Sequence, residues 1–224
     1  MKKKNVVLWM SIILLLLSSP VYSQIKLGFQ LGPNFANGNI TSNPSFTFSI
    51  YPWEIEGKTH FFGGILAEFK ISDMFYIQPE VNFLPKGVIS KGTPLYSSKY
   101  TPDKFDNIFN YFEIPINVLA KFNLSNFTPF IFAGPSLSFL LEAKATLGSF
   151  GTDLSSEEFK KTDFSINLGG GVEFPINSVN LFVMARYSLG LTNIMNKKVP
   201  FLYNGWEKLN TRNLSFSTGL KFSI

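Results

Sequence analysis

From Ile25 onward the chain alternates between apolar and polar residues with a period of two, the signature of strands whose two faces meet different surroundings. Ile25 to Phe35 sets Ile25, Leu27, Phe29, Leu31 and Phe35 against Lys26, Gly28, Gln30, Gly32 and Asn34. The pattern recurs over 61–71, 75–85, 111–122, 127–141, 163–176, 180–191 and 212–224, which predicts eight strands. The connections alternate too. Long polar stretches at 36–60, 86–107, 142–162 and 192–211 are interleaved with short turns at Ser72-Asp73, 123–126 and Asn177-Ser178. All the long loops therefore emerge at one end, and both termini lie at the other. This asymmetry and the even strand count predict an all-β fold, an eight-stranded antiparallel up-and-down transmembrane β-barrel. Pro79, Pro115, Pro129, Pro135 and Pro175 each remove a ladder hydrogen bond and are expected at strand ends or bulges.

Alternation leaves open which face points outward, because a soluble lipocalin-like barrel shows the same period with its faces reversed. The polar face is rich in Gly, Ser and Asn, including Gly28, Gly32, Gly64, Gly169, Gly171, Gly190 and Gly219. Small residues suit the cramped interior of an eight-stranded barrel, so the apolar face is assigned to lipid. The polar face also carries Glu68, Glu80, Glu113, Glu173, Arg186, Lys70 and Lys121. Charges in a lumen must pair, since an unpaired buried charge is expensive. Arg186 is expected to pair with one or more of Glu68, Glu80 and Glu113, with room left opposite it at Gly169. Phe61, Phe62, Phe75, Tyr76, Tyr111, Phe112, Phe127 and Tyr187 lie near strand ends and read as interfacial aromatic girdles.

Composition supports this assignment. The chain has 25 Phe and only 16% charged residues, against roughly 25% charged in average soluble domains. Residues 1–23 read as a cleaved signal peptide for Sec export: Lys2, Lys3 and Lys4 precede an apolar run from Val6 to Leu17, and Val21-Tyr22-Ser23 offers a cleavage site. Residues 24–224 then form one barrel domain. Removing the signal leaves 17 cations against 15 carboxylates, so a nucleic-acid partner has no electrostatic support. There is no Cys, hence no disulfide framework.

The closing stretch, Arg212 to Ile224, resembles the C-terminal signal by which outer-membrane barrels are recognised by the insertion machinery, with Gly219, Phe222 and Ile224 at its marked places. Several segments in order resemble the PorT family of outer-membrane β-barrel domains: GFQLGPNFA (28–36), FYIQPEVNFLPKG (75–87), YFEIPINVLAKF (111–122), PFIFAGPSL (129–137), DFSINLGGGVEF (163–174), ARYSLGLTNI (185–194) and STGLKF (217–222). The resemblance implies an eight-stranded barrel in the outer membrane of a diderm bacterium. Some members are associated with type IX secretion, which makes a link to protein secretion an expectation. It brings no catalytic residues.

Chemistry is sparse. His60 is the only histidine. A hydrolytic reading would combine it with Ser45, Ser49, Ser97 or Ser98 and an acid, and a metal reading with Glu54 or Glu56. A rim histidine beside an aromatic girdle explains it better. The GGG at 169–171 precedes no helix and is not a phosphate loop. No catalytic residue, cofactor or metal is expected, and the lumen charges read as structural. Trp53, Tyr96, Tyr100, Tyr203 and Trp206 lie in long loops, where they serve as binding anchors or pack among themselves. The expected function is that of a non-enzymatic barrel with a filled lumen, an interaction or assembly component with periplasmic termini. Its partners are the bilayer, the insertion machinery and proteins met through extracellular loops. The alternatives are a narrow solute or ion channel and, third, a surface hydrolase.

Overall fold

The computed structural model describes residues 25–42, 53–92, 103–147, 150–153, 159–196 and 206–224. They form β1 (Ile25–Ser42), β2 (Trp53–Lys70), β3 (Phe75–Gly92), β4 (Asp103–Lys121), β5 (Thr128–Leu147), β6 (Phe150–Asp153), β7 (Thr162–Ile176), β8 (Val179–Gly190) and β9 (Trp206–Ser223). Eight of these close a ring, each antiparallel to its neighbours, in the order β1-β2-β3-β4-β5-β7-β8-β9 and back to β1. The seam is completed at the last residue, where the Ile224 amide donates to the Ile25 carbonyl at 3.0 Å. Short β6 pairs only with the far end of β5. Among the described residues, no helix is long and apolar enough to cross a membrane.

The apolar face points out. Exposed large hydrophobics run from Leu27 to Phe35 on β1, Phe61 to Phe69 on β2, Val183 to Leu189 on β8 and Leu214 to Phe222 on β9, with matching runs on the other strands. The buried residues between them are mostly polar, among them Gln30, Asn34, Gln78, Asn82, Asn117, Asn167 and Asn213. That inversion of the soluble pattern matches a wall that meets hydrocarbon outside and its own side chains inside.

The strands outrun the predicted ones. β1 and β3 continue to Ser42 and Gly92, β2 and β4 begin at Trp53 and Asp103, β5 reaches Leu147, and β9 begins at Trp206. Much of what reads as the four long loops is therefore strand, and Trp53 and Trp206 open strands instead of sitting in loops. An 18-residue strand such as β1 spans ~60 Å at ~3.3 Å per residue, about twice the ~30 Å hydrocarbon thickness. Even tilted, its end stands clear of the bilayer. There the faces reverse: Asn37, Thr59, Lys208 and Arg212 are exposed, while Phe109, Ala143 and Leu209 are buried. A period-two pattern that inverts its phase halfway along a strand looks like no pattern.

The prolines divide into two groups. Pro129 and Pro175 lie next to strand ends. Pro79, Pro115 and Pro135 lie inside strands without a bulge, contrary to expectation. The ladders keep register but skip the pairs after Pro79 and those between Pro115 and Val118. Shifts of register fall elsewhere, between Gly57 and Gly63 on β2 and at Asn110/Tyr111 on β4. The short turns match expectation. Asn177 takes φ 56° in the turn joining β7 to β8, a left-handed conformation that Asn tolerates. The turn after β2 is tied by the Phe75 amide donating to Ser72 Oγ at 3.1 Å.

Candidate functional site: the lumen charge layers

Parity along each strand decides which polar side chains enter the lumen. Nearest the termini, β2, β4, β7 and β9 bring together Glu68, Lys121, Glu173 and Lys221. Lys121 Nζ lies 2.5 Å from Glu68 and 2.7 Å from Glu173; Lys221 Nζ lies 2.5 Å and 2.6 Å from the same two carboxylates. Two cations and two carboxylates thus alternate around a ring, so each charge has two opposite neighbours. Lys221 also donates to Gln78 at 2.9 Å. Its ammonium sits over Phe182, and that of Lys121 over Tyr76.

In the middle layer Glu80 is the hub. It accepts from Arg186 Nη2 at 2.7 Å on both oxygens, and from Gln30, Gln78, Asn82 and Asn117 between 2.7 and 3.0 Å. Both oxygens of this buried carboxylate are thereby satisfied by donors. Arg186 lies opposite Gly169 in the β7–β8 register, and its guanidinium rests beside the Phe132 ring.

A third layer lies farther from the termini. Lys86 Nζ is 3.1 Å from Asp163 and 3.5 Å from Glu113. Ser138 Oγ donates to Glu113 at 3.0 Å, and Thr211 Oγ1 donates to Asp163 at 2.8 Å. Above it sits an apolar plug of Phe109, Tyr111, Ala143, Phe159, Ile194, Met195 and Leu209. Phe159 and Met195 come from the connections on either side of β7–β8 and bridge each other, and the Ile194 amide donates to the Leu209 carbonyl at 3.0 Å.

Of the residues singled out from sequence, Glu68, Glu80, Glu113, Glu173 and Arg186 all lie in the lumen, and Arg186 meets Glu80, not Glu68 or Glu113. Lys70 does not join them: it pairs at 2.8 Å with Asp73, which the adjoining turn leaves exposed. Phe62 and Tyr111 are not girdle residues, at 5% and 0% exposure, and Tyr76 turns inward beneath Lys121. Their parity matches that of the lumen residues on their strands. Gly219 faces inward against the Phe182 ring, whereas Phe222 stacks outward on Phe29 and Ile224 is exposed. Sequence reading missed Lys86, Asp163 and Thr211. Counting in twos from Glu80, Glu173 and Lys221 reaches all three, a signal obscured by reading Lys86 and Thr211 as loop residues and Asp163 as the bare start of its strand.

His60 belongs to β2, with Lys58 paired to Asp106 nearby. Its Nε2 has no hydrogen-bond partner, and burial, with Lys58 adding to it, holds the imidazole below its ordinary 6.5. Ser45, Ser49, Ser97 and Ser98, like Tyr96, Tyr100 and Tyr203, lie outside the described residues, as do residues 1–23. Among the described residues, no cluster of three or more His, Asp or Glu is placed to hold a metal ion. The lumen charges make a cross-braced interior: four cations and five carboxylates are buried, nearly balanced, on six of the eight strands of the ring.

No curated protein matches the chain. Among solved structures it is similar to the outer membrane protein OprG from Pseudomonas aeruginosa, at 9% identity and TM-score 0.50, covering 90% of this chain and 97% of that one. It is also similar to Neisserial surface protein A, at 17% identity and TM-score 0.45, covering 88% and 97%. The outer membrane protease OmpT from Escherichia coli gives 10% identity and TM-score 0.48, covering 90% and 97%. At these identities the likeness concerns the fold alone. The model described as "Outer membrane protein beta-barrel domain" matches residues 18–196, most of the sequence, and the chain belongs to that family.

Proposed function

We propose that this outer-membrane barrel is a non-enzymatic interaction or assembly component with a side-chain-filled lumen. The observation that carries this reading is the Arg186–Glu80 pair. β3 and β8 are diametrically opposite in the ring, so the pair braces the barrel across its bore. With no transport path required, the extended strand ends become the part available to partners. Residues 1–23 act as a signal peptide for Sec export, and Gly219, Phe222 and Ile224 act as the tail read by the insertion machinery. Both termini are then periplasmic and the strand extensions extracellular. The resemblance to the PorT family supports a link to protein secretion.

The test is photocrosslinking in the native membrane from Asn39 and Lys208, which are exposed on the extended ends. Capture of a defined protein partner, together with a silent barrel in planar bilayers, is expected. Steady conductance and no partner would sink the proposal. A second reading, a narrow channel, draws on Asn167, Ser165 and Asn213. These buried lumen residues carry polar atoms that make no hydrogen bond within the protein. It requires conductance that changes in Glu80→Ala or Arg186→Ala.

A further inference from the structure

On one side of the outer wall the lipid-facing side chains become small. Pro33, Gly170, Ala185 and Thr218 replace the Leu, Ile and Phe found elsewhere, and they line a groove of about 560 Å³ across β2, β1, β9, β8 and β7. Its floor is apolar. The β1–β9 ladder skips the residues around Gly32 and Pro33 here. A recess facing hydrocarbon must be filled, because a void forfeits dispersion contacts along its whole lining.

A second recess of about 460 Å³ follows along β1, β2, β8 and β9, away from the termini. Outward positions step from one to the other by twos: Leu31 and Pro33 to Phe35 and Asn37, Thr218 and Phe216 to Leu214 and Arg212, Ala185 to Tyr187, Phe61 to Thr59. Phe35 and Phe216 meet edge to face at their junction. The upper recess begins where the outward face turns from apolar to polar, which is headgroup depth. Its lining holds Lys58 and Arg212 and no carboxylate. Lys58 is engaged by Asp106. Arg212 is exposed and, among the described residues, makes no ion pair.

We infer that this column is a binding site for an anionic, phosphate-bearing lipid of the leaflet at that end. An acyl chain lies against Ala185, Thr218 and Gly170, and the headgroup phosphate is held by Arg212. The planar guanidinium suits phosphate oxygens, and an apolar groove below a lone cation is complementary to an amphiphile of opposite charge.

The test is native mass spectrometry of the full barrel released from detergent. Phosphatidylglycerol is the probe, phosphatidylcholine tests the need for net negative charge, and inorganic phosphate tests the headgroup alone. Retention of phosphatidylglycerol over both is expected. Arg212→Ala should lower that retention about tenfold, the loss of one charge-assisted contact. Ala185→Trp, which fills the groove and leaves Arg212 in place, should lower it as well, while Ile116→Trp on the opposite wall should not. Heat-modifiable migration verifies that each variant is folded. Equal retention of phosphatidylcholine, retention indifferent to Arg212→Ala and Ala185→Trp, binding of phosphate alone, or occupancy by a second copy of the chain would each overturn the inference.

Discussion

Arg186 on β8 reaches across the lumen to Glu80 on β3, with Nη2 at 2.7 Å from each carboxylate oxygen. Both side chains are almost wholly buried, and the two residues are 106 apart in the chain. The contact therefore forms only when the ring is closed.

Truncating one partner strands the other. Glu80→Ala leaves a buried guanidinium without its carboxylate, and a loss of about 3–5 kcal/mol in unfolding free energy is expected. The double variant Glu80→Leu/Arg186→Met should recover most of it, because replacing both charges removes the desolvation penalty. Urea unfolding in lipid vesicles, followed by tryptophan fluorescence, measures both. A single-variant loss below about 1 kcal/mol would show that the brace is dispensable.

Lys86 is the only cation within 4 Å of Asp163 or Glu113 among the described residues. Lys86→Met should cost a comparable ~3–5 kcal/mol. Lys70→Ala should leave the unfolding midpoint where it was, since the Lys70–Asp73 pair is open to water. Equal effects from the two variants would contradict the assignment of Lys86 to the lumen.

A β-carbon at Gly169 would run into the Phe132 ring and the Ala185 carbonyl oxygen, beside the Arg186 side chain. Gly169→Ala is therefore expected to destabilise by about 1–3 kcal/mol. Gly170→Ala points outward and meets its nearest atom, the Phe130 carbonyl oxygen, at 3.0 Å. Its cost should be smaller. The ranking of the two by urea midpoint is the check.

Leu168 is 62% exposed on the lipid-facing wall. Leu168→Arg should cost about 2–4 kcal/mol in a bilayer. The same substitution at Asn39, on the extended end, should be tolerated. The comparison reports where the wall leaves the hydrocarbon.

His60 lies above the lipid-facing run of β2, and its imidazole is held below 6.5 by burial. A depressed pKa means the folded state resists protonation. Its contribution to stability is therefore present above the unfolded value, near 6.5, and is lost as pH falls through the lower folded value. Proton NMR of the His60 ring should show a midpoint below 6.5; a midpoint above it would mean that Asp106, not burial, dominates.

By itself, the sequence determined the membrane-spanning half of the barrel. Alternation identified eight strands and their two faces, and the small residues of the polar face assigned it to the lumen, with Glu68, Glu80, Glu113, Glu173 and Arg186 on it. These features are local, because one strand's period carries them. Three matters needed the tertiary structure. Which carboxylate Arg186 meets depends on β3 and β8 standing opposite in a closed ring, a relation no single strand encodes. The extended ends were hidden because their polarity reverses above the bilayer, so Lys86 read as the start of a loop and Tyr111 as a girdle residue. The plug of Phe159, Ile194 and Met195 is assembled from separate connections that meet only over the barrel mouth. The tail from Arg212 to Ile224 shows both kinds of information. Its alternation is plain in the sequence, whereas the pairing of Ile224 with Ile25 and the placing of Arg212 above a groove exist only once the sheet has closed.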